Sequence, residues 1–338
     1  MVLIDGSAGE GGGQVLRTAL GLSLVTQTPF QMVKIRGRRP KPGLQRQHLA
    51  CVKAAAMIGD ASVEGDALSS QELVFHPRAL RPGNYEVAIG SAGSTTLLLQ
   101  AVLPALLRAS GPTTLSLEGG THNRLAPTFE FLARSFLPVL AQLGARVEVK
   151  LVRYGFEPAG GGRIEVSVTP APLKPIELLQ RGELISRGAT AVISSIPPRV
   201  AVRELAMVEQ DLDFAPTELR SEHVTASSPG NAIIITLTYQ HVTDVFVGLG
   251  ERGVTAEKVA HRTTGEVKRS LRTDAPVGPH LADQLMIPFA LAGGGAFRTV
   301  ELTKHSLTQL ELIPRFLDVK LECQAEGHGT WRFGVSQA

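Results

Sequence analysis

Three stretches of the chain concentrate residues that could do chemistry. The first, DGSAGEGGGQVLRTAL over residues 5–20, is a glycine run entering an apolar helix, with Glu10, Gln14 and Arg17 among and just after the glycines. Free N–H groups at the start of a helix can face an anion such as a phosphate, and glycines let that anion approach the backbone. The second, IRGRRPKPGLQRQH over residues 35–48, packs Arg36, Arg38, Arg39, Lys41, Arg46 and His48 together without a single acid. Arginine forks bind phosphate oxygens bidentately. The third, TKHSLTQ, contains His305. A neutral imidazole, with a free pKa of roughly 6.5, can attack phosphorus at pH 7.

The glycine run fits neither common phosphate loop. No Lys-Ser/Thr pair follows it, and the sixth positions counted from Gly9 and Gly11 are Gln14 and Leu16, not glycine. Any phosphate held there therefore needs positive charge from elsewhere, and the arginine stretch supplies it. Glu10 would repel a phosphate unless a divalent cation lay between them. A tight turn with a surface glutamate and a solvated basic loop are the plain alternatives, and pattern alone leaves them open. There is no HExxH and no GxSxG, which argues against zinc-peptidase and α/β-hydrolase chemistry.

The elements that must position these residues recur along the chain. GSAGEGGGQVLRTALGLSLVTQTPFQMVKIRG and GSAGSTTLLLQAVLPALLRASGPTTLSLEGG each read as loop, apolar helix, turn and alternating strand. A second helix and a strand follow each time, in HLACVKAAAMIGDASVEG and TFEFLARSFLPVLAQLGARVEV. HLADQLMIPFALAGGGAFRTVEL and LTQLELIPRFLDVKLEC give a third, weaker copy. The polar connections RRPKPG, GTHNRLAP and TKHSLT then correspond, which puts Arg38/Arg39, His122/Asn123 and His305 at equivalent places. Between the second and third copies lies a block of strand, helix, two strands and helix, of different character. The expected class is α/β (α+β): a large domain of three repeated βαβαβ-type units, residues 1–178 and 274–338, with a small α/β domain inserted at 179–273.

Composition sets bounds. The chain has 338 residues, 43% hydrophobic and 19% charged, with 35 glycines and a net charge of +3, ordinary values for a globular protein. Two distant cysteines, Cys51 and Cys323, make neither a disulfide framework nor a zinc site. No signal peptide and no membrane-length apolar run is visible, so a cytoplasmic protein without a membrane partner is expected. Aromatic content of 5% is too low for a surface that stacks many bases. A nucleic acid would be held at its phosphates or its end.

In order, GEGGGQVLR, RPKPGLQRQHL, GSAGSTTLLLQ, GFEPAGGG, HLADQL and TKHSLTQ resemble the RNA 3′-terminal phosphate cyclase family over essentially the whole chain. The family usually has a basic residue before the glycine of GFEPAGGG; here Tyr154 stands there, with Arg153 one earlier. The resemblance implies three units like the C-terminal domain of translation initiation factor three, plus a small inserted domain. It implies ATP and a divalent metal (Mg2+ or Mn2+) as cofactors and an RNA with a 3′-phosphate as partner, with no obligate protein partner. Motif by motif, His305 is the nucleophile that carries AMP and Glu10 holds the metal. Arg17, Arg36, Arg39 and Gln47 hold ATP phosphates or the RNA end. Gln100, Pro127 and the run His280, Leu281, Ala282, Asp283, Gln284 surround the adenosine; His280 stands where the family often has an aromatic. Cyclase-like relatives without the histidine are non-catalytic factors in ribosomal RNA processing, and His305 speaks against that class. Enolpyruvyl transferases share a repeated-unit architecture, but the order of motifs here does not fit them.

Overall fold

A computed structural model describes residues 1–338. It contains four mixed sheets of four strands each. The first is built from β1 (Val2–Asp5), α1 (Gly13–Thr26), β2 (Phe30–Val33), α2 (Arg46–Ile58), β3 (Ser62–Glu64) and β4 (Leu73–His76). Its order is β1-β2-β4-β3, with β1 and β2 parallel and the other pairs antiparallel. The second has β5 (Asn84–Ala88), α3 (Thr95–Leu106), β6 (Thr113–Gly119), α4 (Leu137–Gln142), β7 (Arg146–Arg153) and β8 (Gly162–Thr169), in the order β5-β6-β8-β7. Again the first pair is parallel and the rest antiparallel.

The chain then forms β9 (Glu177–Leu178) and leaves for the fourth sheet: β10 (Leu184–Ser194), α5 (Arg199–Leu212), β11 (Leu219–His223), β12 (Gly230–Tyr239), β13 (Thr243–Leu249) and α6 (Ala256–Ser270). It returns through α7 (Pro279–Ala292), β14 (Gly295–Val300), α8 (Lys304–Leu312), β15 (Val319–Gly327) and β16 (Thr330–Gln337). The third sheet runs β9-β14-β16-β15, with β9 and β14 parallel. Each of these three sheets thus closes with a strand pair after its second helix. The βαβαβ expectation had one strand too few there.

The elements follow from the residues. Helix α1 buries Leu16, Leu20, Leu22 and Leu24 completely, so it is apolar nearly all round and runs through the middle of the core. Gly21 lets it press against α3, because a Cβ there would sit 3.1 Å from the Ala101 carbonyl and 3.2 Å from Pro104. Before α4, residues Phe131–Phe136 form a π turn, and the Leu137 N–H donates to the carbonyl of Leu132, five residues back. Pro138 has no N–H to continue the tighter ladder, which accounts for the wide turn. In the fourth sheet, Ala191 and Ile193 face one side and Val192 and Ile234 the other, and all are buried. The second side packs on Phe156, which explains why β12 carries the unbroken apolar run AIII. Sequence reading missed β11, the polar and exposed edge of this sheet. The two chain crossings into the sheet are tied by Arg181, which donates to Tyr239 Oη at 3.1 Å and to the Ala275 carbonyl at 2.5 Å.

Candidate active site

Four helices begin at one place. The N-termini of α1, α2, α3 and α8 all contribute residues to a cavity of about 740 Å³, among them Gly13 and Gln14, Gln47 and His48, Ser94, and His305. Helix starts carry unpaired N–H groups and partial positive charge, so their convergence favours an anion. Arg17, Arg36, Arg39 and Arg124 line the same cavity against only Glu10 and Glu157.

The opening loop places its side chains through its glycines. Gly9 and Gly11 have φ of 57° and 63°, a region costly for residues with a Cβ. A Cβ at Gly12 would strike the Glu10 carboxylate, and one at Gly13 would strike His48 Nε2. The glycines therefore make room for the Glu10 and His48 side chains themselves. Glu10 is then fixed from two directions. Its Oε1 accepts a hydrogen bond from Arg39, and its backbone N–H donates to Thr308 Oγ1 at 3.0 Å. Thr308 lies on α8, one turn after His305, so this bond joins the first loop to the helix that carries the imidazole.

His305 sits in the first turn of α8, not in an irregular connection as its polar surroundings suggested. Thr303 caps the helix: its Oγ1 accepts from the N–H groups of His305 and Ser306, both at 3.0 Å, and donates to Asp283 Oδ1 at 2.6 Å. Ser306 Oγ donates to the same oxygen at 2.6 Å. Burial raises the Asp283 carboxyl above its ordinary pKa, against these hydrogen bonds. The cap was legible as a threonine before a helix. The imidazole Nδ1 is turned inward, 3.9 Å from Glu10 Oε1.

Several buried polar atoms here have no protein partner: Glu10 Oε2, Gln14 Oε1, Arg17 Nε, Asn123 Oδ1 and His305 Nδ1. Buried polar groups are nearly always satisfied, so this concentration is the pattern expected of a ligand site. Burial lowers the pKa of the Arg17 guanidinium, and burial plus the charge of Arg39 lowers that of Arg36; arginine keeps its charge regardless. Gln47 is half committed, because its Oε1 accepts from the Ser94 N–H at 2.8 Å and leaves its NH2 free.

His48, placed in the basic stretch by its neighbours, behaves differently. Burial, then Arg17 and Arg36, push its pKa down to about 3. It is a neutral wall of the cavity, with Nδ1 accepting from the Gln45 N–H at 3.3 Å. The unfolded chain binds a proton at this residue below its ordinary 6.5, whereas the folded chain does so only near 3. Stability therefore falls as pH drops through that window, by at most about 1.4 kcal/mol per pH unit from this group. His48→Asn, which keeps an acceptor for Gln45, should flatten the fall in melting temperature between roughly pH 6 and pH 4. Equal acid slopes in the two proteins would count against it.

The remaining expectations divide. Glu10, Arg17, Arg36, Arg39, Gln47 and His305 come together. Arg36 reaches the cavity from a turn beyond the end of β2, with φ of 53°, not from the strand. Gln100, Pro127 and residues 280–284 are not among the lining residues. The side chains of Leu281 and Ala282 are spent on the core, and Pro127 is held by its carbonyl, which accepts from Thr96 Oγ1 at 2.7 Å. Of the paired connections, Arg39 and Asn123 line the cavity, while Arg38 and His122 do not. His122 is buried, stacked on Tyr154 and 2.8 Å from Glu130, where it braces the loop bearing Asn123. Burial, the largest single influence, would raise the Glu130 carboxyl, but the hydrogen bond and electrostatic attraction of His122, a backbone hydrogen bond and the charge of Arg134 together hold the pKa below its ordinary value. Both cysteines are free, and no helix is long and apolar enough to cross a membrane.

The RNA 3′-terminal phosphate cyclase family model matches residues 8–323. An RNA 3′-terminal phosphate cyclase of Ectopseudomonas mendocina is 45% identical over 95% of this chain and 94% of its own. One of Koribacter versatilis is 46% identical over 96% and 92%. Among solved structures, the enolpyruvyl transferase NikO of Streptomyces tendae aligns with 95% of this chain and 46% of its own at 12% identity and a TM-score of 0.37, too low to bear on fold or function. With the match reaching from the glycine loop past His305 into β15, the chain belongs to the RNA 3′-terminal phosphate cyclase family.

Proposed function

We propose that the protein uses ATP to convert an RNA 3′-terminal phosphate into a 2′,3′-cyclic phosphate, through AMP carried on His305 and then on the RNA end. The observation that carries this reading is the meeting of His305, Glu10 and four arginines at four helix N-termini, with His305 Nδ1, Glu10 Oε2 and Arg17 Nε buried and unpartnered. With Nδ1 turned toward Glu10, Nε2 is the nitrogen that attacks the α-phosphorus of ATP, and pyrophosphate leaves. Nδ1 keeps its proton, and the Glu10 carboxylate stabilises the cationic ring that results. An oxygen of the RNA 3′-phosphate next attacks the adenylyl phosphorus and frees His305. The adjacent 2′-hydroxyl then attacks the RNA phosphorus and expels AMP. That last step needs mainly orientation, because nucleophile and electrophile belong to one nucleotide.

The arginines and helix starts neutralise charge on the transferring phosphoryl groups, which is most of what such a reaction requires. A divalent cation fits at Glu10, whose Oε2 is buried and unpartnered. No cluster of three or more His, Cys, Asp or Glu surrounds that atom. Phosphate oxygens and water would complete its shell, as magnesium prefers. When bound it would supply Lewis-acid polarisation of the phosphates. Asp283, assigned to the adenosine side, acts in this reading chiefly by fixing Thr303 and so the helix start that aims His305. The three sheets of common strand order we take as repeated units, and 179–273 as a domain inserted in the third.

Incubation with α-labelled ATP and magnesium tests the proposal: the protein should retain acid-labile label, and RNA bearing a 3′-phosphate should discharge it. A folded protein that retains none is a non-catalytic member of the family. Arg39→Ala, which removes a phosphate ligand and the partner of Glu10, should raise the KM for ATP or for the RNA end by about tenfold or more. Unaltered kinetics for both substrates would remove Arg39 from the site.

A further inference from the structure

The rim of the cavity holds a residue that neither packing nor backbone economy explains. Leu125 is wholly exposed, lines the mouth and has φ of 59°. The left-handed region is costly for a leucine and cheap for glycine or asparagine. An apolar side chain kept there against both solvation and strain points to a ligand that covers it. Its neighbour Arg124, also on the mouth, is held only by Glu251 at 3.1 Å, with both side chains substantially exposed. Exposed ion pairs of this kind are weak and exchange readily. Glu251 stands between β13 and α6, and Arg262 of α6 lies 4.0 Å from it. Glu251 therefore keeps a cationic neighbour if Arg124 departs.

Granting the RNA-end reading above, we infer that Arg124 and Leu125 seat the penultimate nucleotide of the RNA. Leu125 packs beneath its base, and Arg124 exchanges Glu251 for the phosphodiester joining the last two nucleotides. Single-stranded RNA is held by apolar or aromatic contact with unstacked bases together with cationic contact to the backbone, and the rim presents one of each. The arrangement also fits an enzyme with few exposed aromatics, since one aliphatic side chain serves one base. ATP has neither a second base nor a phosphodiester link, so this seat would distinguish RNA from nucleotide at a common cavity.

The test uses a ten-nucleotide RNA 3′-phosphate and the same RNA abasic at the penultimate position. Leu125→Gly and Leu125→Asn both suit the positive φ, so both should melt no lower than the wild type. Each should raise the KM for the intact RNA about fivefold or more, with a smaller change in the ATP requirement of self-adenylylation. On the abasic RNA, wild type and variants should coincide, because the base that Leu125 touches is gone. Arg124→Gln should raise the KM and reduce the salt slope of log KM by about one. The inference is overturned if both Leu125 variants keep a wild-type KM, if they lose equally on both RNAs, or if only the glycine variant loses. It is also overturned if the ATP requirement shifts more than the RNA requirement, which would assign Leu125 to the nucleotide. Wild-type protein that never retains label defeats the proposed function instead, and that result is read before any RNA is added.

Discussion

Replacing His305 with alanine should abolish label retained from α-labelled ATP and lower cyclisation on the order of 10³-fold or more. The only other imidazole that lines the cavity cannot take over. His48 is buried and neutral, and its Nε2 packs against Gly13. His122 is enclosed by Glu130, Tyr154 and Phe156. The fold should survive, because the His305 side chain is 41% exposed and α8 is held by the Thr303 cap rather than by the ring. Melting temperature should change little, which separates a lost nucleophile from a lost structure. A second measurement isolates the step. RNA already carrying AMP on its 3′-phosphate bypasses His305, so the variant should cyclise it within about tenfold of the wild-type rate. Label retained by the alanine variant would move the nucleophile elsewhere. Failure on the pre-activated RNA would mean that the imidazole also works in the last step.

How much of this was legible in the sequence depends on the distance over which each residue acts. Apolar periodicity located α1, α3 and α7, and alternation located β2 and β6, because a helix face or strand face is a local pattern. The glycine loop and the arginine stretch stood out as candidates for phosphate chemistry for the same reason. Strand β11 was missed because LRSEH is polar and its pairing with β10 is supplied by a neighbour, not by its own alternation. His305 was read into a loop because TKHS is polar, although the threonine before it is the residue type that starts helices. The depressed pKa of His48 was out of reach: it depends on Arg17, Arg36 and burial beneath the glycine loop, none of which a linear reading brings together. The meeting of Arg39, Asn123 and His305 depends on how the sheets stand against one another. Their correspondence was readable from the order of elements, but their convergence was not. Leu125 gave no signal at all, since one leucine in a loop is unremarkable until its backbone and exposure are known.

Glu10→Ala should separate binding from turnover. The carboxylate is one of only two acidic groups that line the cavity with four arginines, and it lies beside His305. Its removal leaves the cavity more positive, so ATP without metal should bind at least as tightly, seen as an undiminished rise in melting temperature with ATP. Turnover should move the other way. Loss of the metal ligand and of the group facing Nδ1 should slow self-adenylylation by about 10²–10³-fold. The dependence on magnesium should also weaken, because the cation loses its only protein carboxylate in this reading. Glu10→Gln sharpens the point: it keeps the bond from Arg39 to a side-chain oxygen but not the charge. A rate near that of the alanine variant assigns the effect to charge, and a rate near wild type assigns it to the placement of Arg39. Unchanged rates across a magnesium titration in Glu10→Ala would contradict the metal role outright. In that case the backbone bond to Thr308, which alanine preserves, would be what Glu10 contributes, and the loop would serve only to hold α8 against the arginines.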